Sequence, residues 1–196
     1  ARLALDHQST LIEDLYSLRQ GKNQLRLEVT FAIGEHLLSD LLWHFSENFP
    51  EYKLQSRMGY SRHIQTRLAT GLSDLALIEQ APDHPEILVQ KWFEDELILV
   101  CAPNHPLSHQ PTIPVMQLVS QKFVLRESQS SMRIILDQKL KDAGIIKLPI
   151  TLEVGSTDTI VEMLGRGQHM SFLPKFAVKD ALKSNMLHHI RVDLLK

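Results

Sequence analysis

The sequence contains a single cysteine, Cys101, which lies within an apolar run. One cysteine cannot form a disulfide within the chain, so the disulfide-rich class of small secreted folds is excluded and a reducing compartment is favoured. There is no run of about 18 apolar residues and no basic-then-apolar leader of the kind that signal peptides carry. We therefore expect a cytoplasmic protein with no membrane partner, in which Cys101 is a buried structural thiol.

Positive charge is not in excess either. The 21 lysines and arginines are outnumbered by 23 aspartates and glutamates, which gives a net charge of −2 and a pI of about 6.6. A surface that binds duplex DNA needs clustered Lys and Arg to contact the phosphates. We therefore expect that the 196 residues do not bind DNA themselves, and that any DNA contact comes from another segment.

Motifs for metal binding and catalysis are missing as well. Ten histidines are present, but no pair spaced i, i+4 encloses a glutamate, and the adjacent His188 and His189 point to opposite faces of a predicted strand. There is no Walker loop and no G-x-S-x-G turn, and residues 165–167 (Gly-Arg-Gly) do not follow a strand as a dinucleotide fingerprint does. The sequence thus predicts no metal, no cofactor and no catalytic constellation, and we expect that the protein is not an enzyme.

What the chain does contain is a clear change in the spacing of its apolar residues within residues 25–50, at Gly34. Before this glycine, apolar and polar residues alternate, which predicts a strand over residues 25–33. After it, leucines and phenylalanines recur on one face of a helix, which predicts a helix over residues 35–49 that Pro50 ends.

A strand that feeds a helix leaves unpaired N–H groups above the strand's carboxyl end, where anions bind readily. Thr30, Phe31 and Ala32 are predicted to line this exit. A single unit of this kind is more often an ordinary βα connection without a ligand. A second such turn, facing the first, is needed to favour a ligand cleft.

Strands and helices continue to alternate along the chain, which predicts an α/β fold with crossover connections and a largely parallel sheet. The predicted strands are residues 52–57, 75–78, 97–101, 122–125 and 150–154, and the predicted helices are residues 61–70, a helix that ends at Gly144, and a third that begins at residues 155–157.

The second turn follows the strand over residues 122–125. Ser128, Gln129, Ser130 and Ser131 cluster small hydrogen-bonding groups at a helix start, and Ser130 is the predicted N-cap, whose oxygen would accept an N–H of the first turn. Capping alone explains any one of these serines. Hydroxyl groups at three helix starts in one α/β chain favour a shared cleft.

The first segment, residues 1–20, has leucines at near-heptad spacing on a polar background and ends at Gly21. It is predicted to be an amphipathic helix. A helix packed in the domain and a linker helix are about equally compatible with this pattern. Because the helix begins without a cap, we expect that the chain is cut from a longer one.

Taken together, these landmarks resemble the effector-binding domain of LysR-type bacterial transcription regulators. The resemblance rests on the order and spacing of a series of phrases after a leucine-bearing helix that ends in glycine before L-R-L. In order they are F-x-x-x-x-P at 45–50, G-x-x-D-L-A-L at 71–77, D-E-L-x-L-V at 95–100, A-P-x-H-P-L at 102–107, R-E-x-x-S-x-x-R at 126–133, S-T-x-x-I at 156–160 and G-x-x-x-S-x-L-P at 167–174.

The resemblance implies two Rossmann-like α/β lobes of the type II periplasmic-binding-protein kind, with a hinge at two crossing strands. It implies a linker helix over residues 1–22, lobe I over 23–100, lobe II over 101–190, and a possible start of the return to lobe I over 191–196. A DNA-reading helix-turn-helix would precede Ala1, and members of the family pair their lobes side by side, so a homodimer or higher homo-oligomer is expected.

A small-molecule effector would be held between the lobes. The predicted lining is Thr30, Phe31 and Ala32 from lobe I, Ser128, Gln129, Ser130 and Ser131 from lobe II, His169 where the family often has glycine, and Glu79 at the edge. The expected effector is a carboxylate, an amino acid or a sulfur oxyanion. Because Glu79 would repel a simple dianion, a zwitterionic or amine-bearing ligand is as compatible as an inorganic one.

Two other classes of function remain open on the same fold. A stand-alone solute-binding protein is disfavoured by the missing leader and by the linker-like first helix. An enzyme is disfavoured because catalytic groups are missing.

Overall fold

The computed structural model describes residues 24–82 and 84–193. The predicted linker helix over residues 1–22 therefore lies outside the described residues. The chain divides into two compact units between Glu94 and Asp95. The strand Leu97–Cys101, at whose end the sequence analysis places the lobe boundary, belongs wholly to the second unit.

The first unit contains a three-stranded parallel sheet. Its strands are β1 (Gln24–Thr30), β2 (Lys53–Gly59) and β3 (Leu75–Leu77), in the order β2-β1-β3. Thr30 is aligned with Gly59 of β2, and Val29 with Leu77 of β3. Because all three strands run in the same direction, their carboxyl ends meet at one edge of the sheet.

The helices of the first unit are α1 (Phe31–His36), α2 (Leu38–Asn48) and α3 (Ser61–Ala69). The predicted strand to residue 33 and helix from residue 35 are wrong at their junction, because β1 ends at Thr30 and α1 begins at Phe31. The apolar alternation that predicts a longer strand continues in Ala32 and Ile33, which instead enter the core from the first turn of α1.

Gly34 does not mark the turn but lies inside α1. A methyl group at this position would lie 2.7 Å from Cγ of Met58 on β2. The missing side chain therefore allows α1 to lie close against the edge strand. Gly71 does have a turn function: its φ of +69° follows the end of α3, as the sequence predicts, and this left-handed conformation favours glycine.

The second unit contains a six-stranded mixed sheet of order β5-β9-β4-β8-β6-β7. Its strands are β4 (Leu97–Cys101), β5 (Thr112–Pro114), β6 (Phe123–Arg126), β7 (Ile150–Val154), β8 (Met170–Pro174) and β9 (His188–Asp193). Strands β6, β7 and β8 are parallel, so their carboxyl ends share one edge, whereas β4 is antiparallel to β8 and β9.

Helices cover both faces of this sheet: α4 (Ser131–Asp142), α5 (Thr157–Arg166) and α6 (Lys175–Lys183), with a 3₁₀ helix at Val115–Ser120. Alternate residues of the central strands enter two apolar clusters. Leu99 and Phe123 pack with Leu136 of α4, whereas Val100 packs with Ile160 of α5. Burial on both faces explains why the central strands are continuously apolar.

The second half of the chain follows the sequence predictions closely. Strands β4 and β7 have the predicted bounds, and Gly144, with a φ of +81°, follows α4 as predicted. His188 and His189 lie on a strand, which confirms that prediction. Residues 191–193 continue β9 within the second unit, and residues 194–196 lie outside the described residues, so the return to lobe I stays a prediction.

Candidate functional site

Two of the predicted site residues are in direct contact at the carboxyl edge of the first unit. Thr30 is the last residue of β1, and Glu79 follows the neighbouring strand β3. The Oγ1 hydroxyl of Thr30 donates a hydrogen bond of 2.6 Å to Oε1 of Glu79. The hydroxyl is buried and the carboxylate half-buried, so the accessible group of the pair is the carboxylate.

Phe31 and Ala32 begin α1 beside this pair, but they differ in exposure. The ring of Phe31 is half-buried and meets the ring of Tyr60 edge to face, with centroids 5.1 Å apart. Tyr60 follows the carboxyl end of β2, so the aromatic pair belongs to the same edge. Ala32 is only 2% exposed, and its methyl group belongs to the core rather than to the surface of the edge.

The predicted serine cluster lies at the carboxyl edge of the second unit, between β6 and α4. Ser128 and Gln129 are exposed in the turn, whereas Ser130 and Ser131 are buried. Ser130 has the N-cap position, with an extended backbone, but its side chain makes no capping hydrogen bond. The predicted capping contact of its oxygen is therefore wrong, although the position of the helix start is right.

A buried arginine, which the sequence analysis does not single out, lies directly beneath this turn. Arg126 ends β6 and is 3% exposed. Its Nε and Nη2 donate to the two carboxylate oxygens of Glu127 at 3.0 and 3.1 Å. Its Nη1 donates to Oγ1 of Thr157 at 3.1 Å. The guanidinium thereby ties the end of β6 to the start of α5.

Glu127 lies beside Gly155, where a methyl group would be 4.0 Å from Oε2 of the carboxylate. The adjacent Ser156 caps α5, since its side chain accepts the N–H of Thr159 at 3.4 Å. This confirms the predicted hydroxyl-bearing start of the third helix. A charged pair directly after a buried apolar strand was the available signal for Arg126 and Glu127.

Two more cations near this edge, Lys175 and Arg133, are also paired with carboxylates. Nζ of Lys175, which follows β8, lies 2.6 Å from Glu96, and this hydrogen bond raises the pKa of Lys175 and lowers that of Glu96. Arg133 contacts Asp137 at 2.9 Å and Glu153 at 3.1 Å. Arg126, Arg133 and Lys175 are therefore each paired with a carboxylate of the same unit.

The structure does not bring His169 to the serine cluster. His169 precedes Met170, which is aligned with Phe123 at the amino end of β6. Ser128 follows the carboxyl end of the same strand. A strand of this length spans roughly 13 Å at about 3.3 Å per residue, so His169 and the serines lie at opposite edges of the sheet.

Away from the strand ends, a surface groove of about 590 Å³ runs between α4 and β7 and includes Leu140, Ile146 and Leu152. Within residues 24–82 and 84–193, no group of three His, Cys, Asp or Glu side chains could hold a metal ion. No helix in that part of the chain is long and apolar enough to cross a membrane.

The sequence profile of the family described as "LysR substrate binding domain" matches residues 19–194. The chain belongs to this family. The match confirms the resemblance that the ordered phrases indicate. YeiE of Escherichia coli (strain K12), an uncharacterized HTH-type transcriptional regulator, is 27% identical over 192 residues, which cover 98% of this chain and 64% of YeiE. The LysR domain thus spans less than two thirds of that relative.

Solved structures of LysR regulatory domains share the fold. The Synechocystis PCC6803 CcmR regulatory domain in complex with 2-PG matches with a TM-score of 0.78 and 22% identity, over 88% of this chain and 82% of that one. The effector-binding domain of QuiR in complex with shikimate matches with a TM-score of 0.73 and 19% identity, over the same shares. The predicted fold class, a two-lobed periplasmic-binding-protein-like α/β fold, is confirmed.

Proposed function

We propose that this chain is the ligand-sensing domain of a LysR-type transcriptional regulator, and that it binds a small anionic or zwitterionic effector between its two lobes. The observation that carries the proposal is the set of polar side chains at the carboxyl ends of parallel strands in both units: Thr30 and Glu79 in one, Ser128, Ser156 and Thr157 in the other. In open α/β sheets, ligands bind outside these strand ends. The CcmR and QuiR domains have the same fold and are in complex with 2-PG and shikimate.

Effector binding would act on transcription by changing how often the protein adopts each arrangement of its lobes. An effector that binds one arrangement of the lobes more tightly shifts the protein towards it. Coupling to DNA then requires that this arrangement also changes how the DNA-binding segments of the full-length protein are held. We propose that these segments, a helix-turn-helix preceding Ala1, make all DNA contacts, because the net charge of this chain is −2. If the 196-residue chain alone retards duplex DNA in a gel in a salt-sensitive way, the proposal that it makes no DNA contacts is contradicted.

We also propose that the chain forms a homodimer or higher homo-oligomer. Both β2 and β7 end their sheets and leave one side of the strand without a strand partner among the described residues. Large apolar side chains are also exposed: Trp43 on α2 is 61% exposed, and Ile146, before β7, is 99% exposed. Open strand edges and exposed apolar side chains both favour association between subunits. Light scattering should therefore show at least a dimer at roughly ten micromolar, and a monomer would count against it.

The effector site can be tested by thermal unfolding with a collection of carboxylates, amino acids and sulfur oxyanions. A ligand at 100 times its Kd stabilises the folded chain by about 2.7 kcal/mol. The double variant Glu79→Ala/Ser128→Ala should change this stabilisation markedly, because it removes the accessible polar side chain of each strand-end cluster. Ser46→Ala is the matched control, since the Ser46 hydroxyl on α2 donates only to the Trp43 carbonyl, at 2.8 Å. Full stabilisation of the double variant would place the effector elsewhere.

A stand-alone solute-binding protein is the alternative on the same fold. The named relatives are a transcriptional regulator and two regulatory or effector-binding domains, which favours the regulator. The sequence encoded before Ala1 decides between the two. A helix-turn-helix pattern there supports the regulator, and a secretory leader supports the solute-binding protein.

A further inference from the structure

The start of α1 offers little to an anion. Thr30 makes no side-chain cap there, and its single hydroxyl proton is donated to Glu79 over 2.6 Å. Phe31 and Ala32 follow, and neither side chain has a polar atom. The helix has only six residues, so few aligned peptide dipoles act at its start. What this strand end presents instead is the half-buried ring of Phe31.

The ring of Phe31 belongs to a continuous apolar surface formed by α1 and the end of β2. Phe31 and Gly34 are three residues apart in α1 and therefore lie on one face of the helix. Met58 and Tyr60 are two residues apart on extended chain and likewise share a face. The two faces meet, because Phe31 contacts Tyr60 edge to face with centroids 5.1 Å apart, and Met58 lies against Gly34. We call Phe31, Met58 and Tyr60 the apolar strip.

The apolar strip keeps surface that the rest of the chain does not cover. Met58 is 42% exposed, and the rings of Phe31 and Tyr60 are half-buried. The strip lies at the carboxyl ends of β1 and β2, where ligands bind in open α/β sheets. An apolar part of a ligand that covers this surface is removed from water, which favours binding.

The carboxyl edge of the second unit has a different chemistry. Its helix α4 has twelve residues and follows a turn in which Ser128 and Gln129 are exposed, and Ser156 caps the neighbouring helix α5. These hydroxyl, amide and backbone N–H groups suit a polar head group. The two units thus offer one edge for an apolar group and one edge for a polar group.

From this geometry we propose that the effector is an organic acid or amino acid with a ring-sized apolar body that packs on the apolar strip, and that Phe31 selects it against compact oxyanions. This inference rests on the proposed function, since it names the ligand class of the same site. Compact anions such as acetate and sulfate have too little apolar surface to use the strip. They gain only the hydrogen bonds of the polar groups.

Three pairs of probes share a head group and differ in the apolar body: acetate and phenylacetate, glycine and phenylalanine, and methanesulfonate and benzenesulfonate. Calorimetry on the full 196-residue chain measures the affinity of each. In each pair we expect the ring-bearing member to bind at least about tenfold more tightly, the factor that burial of roughly 60 Å² gives at about 25 cal/mol per Å². In Phe31→Ala this ratio should fall to within about threefold, while the compact member keeps its affinity within about twofold.

Phe49→Ala is the matched control. Phe49 is also half-buried and meets a tyrosine ring, that of Tyr52, edge to face at 6.3 Å, but it lies before the amino end of β2. This variant should keep the tenfold ratio. Phe31→Gln is a second variant, which fills much of the same space with a polar amide and should lower the ratio as Phe31→Ala does. A purely structural role of Phe31 would instead weaken both members of a pair equally and leave the ratio unchanged.

The outcomes separate the inference from the proposed function. If the parent binds a compact anion, or another ligand without an apolar body from the effector collection, at least as tightly as the ring-bearing probes, the inference is overturned while the effector site stands. An unchanged ratio in Phe31→Ala or Phe31→Gln overturns it as well, and a simultaneous loss of the dimer in light scattering would assign the apolar strip to a subunit contact. If neither the probes nor any member of the effector collection binds the parent, the proposed function fails, and the inference fails with it.

Discussion

The effect of Gly34→Ala on the free energy of unfolding should depend on the residue at position 58. We expect the change to be destabilising with Met58 and stabilising with alanine at that position. Within a helix, alanine is favoured over glycine by about 1 kcal/mol. In the parent, however, the new methyl group would lie 2.7, 2.9 and 3.0 Å from Cγ, Sδ and Cε of Met58. All three contacts are too short, so the whole Met58 side chain has to move.

The cost of that movement sets the magnitude. Overpacking of this kind costs about 1–3 kcal/mol, and about 1.5–2 kcal/mol applies here because Met58 is 42% exposed and can rotate towards solvent. After the gain in helix propensity, Gly34→Ala should destabilise the parent by about 0.5–1 kcal/mol. In Met58→Ala the obstructing atoms are absent, so Gly34→Ala should stabilise that background by about 1 kcal/mol.

Urea unfolding followed by tryptophan fluorescence is the assay, because Trp43 and Trp92 both belong to the first unit. Gly165→Ala on α5, followed by circular dichroism, is the control. A methyl group there meets only Met186, at an ordinary 3.8 Å, so this change should stabilise the second unit in either background. Equal effects of Gly34→Ala in the parent and in Met58→Ala would refute the close approach of α1 to β2.

Three further experiments test the second unit. Ser156→Ala should cost about 1 kcal/mol in urea unfolding, because Ser156 caps α5, whereas Ser130→Ala should cost clearly less, because Ser130 makes no capping bond. Glu127→Gln should cost about 2–3 kcal/mol by the same assay, since it removes the charged partner of the buried Arg126 guanidinium; the partial exposure of Glu127 keeps this below the cost for a fully buried pair. Burial raises the pKa of Cys101 to about 11 from 9.0, so the thiol's contribution to stability is present below pH 9 and is lost as the pH rises towards 11. Unfolding measured from pH 8 to 11 should show this loss in the parent and a smaller one in Cys101→Ala.

Most elements of the first unit could be predicted from alternation or helical periodicity, and β4 and β6 from continuous apolar runs, whereas β5, β8 and α6 are not predicted. The junction at Thr30 could not be predicted either, since alternation in the sequence continues through Phe31 and Ile33 while the chain has already entered α1. The prediction of a turn at Gly34 is wrong for the same reason. The actual function of this glycine, the close approach to Met58, depends on strand β2, which is distant from Gly34 in the sequence.

The positions of the candidate residues at strand ends could be predicted from the sequence, whereas their burial could not. Thr30 and Glu79 were assigned to one pocket, and the structure joins them by a hydrogen bond. Arg126 was not singled out as a site residue, because a charged residue at the end of a strand is usually solvated and only the fold shows that it is buried. The sequence places His169 with the serines because strand β8 is not predicted; with β8 over Met170–Pro174, His169 lies at the amino end of that strand.

The most direct test of the account is hydrogen exchange of the full chain with and without an effector found in the thermal screen. We predict slower exchange at both strand-end clusters, namely residues 30–32 and 79 in the first unit and residues 127–131 and 155–157 in the second. Protection confined to one unit, or to the groove between α4 and β7, would contradict the claim that the strand ends of both lobes hold the effector.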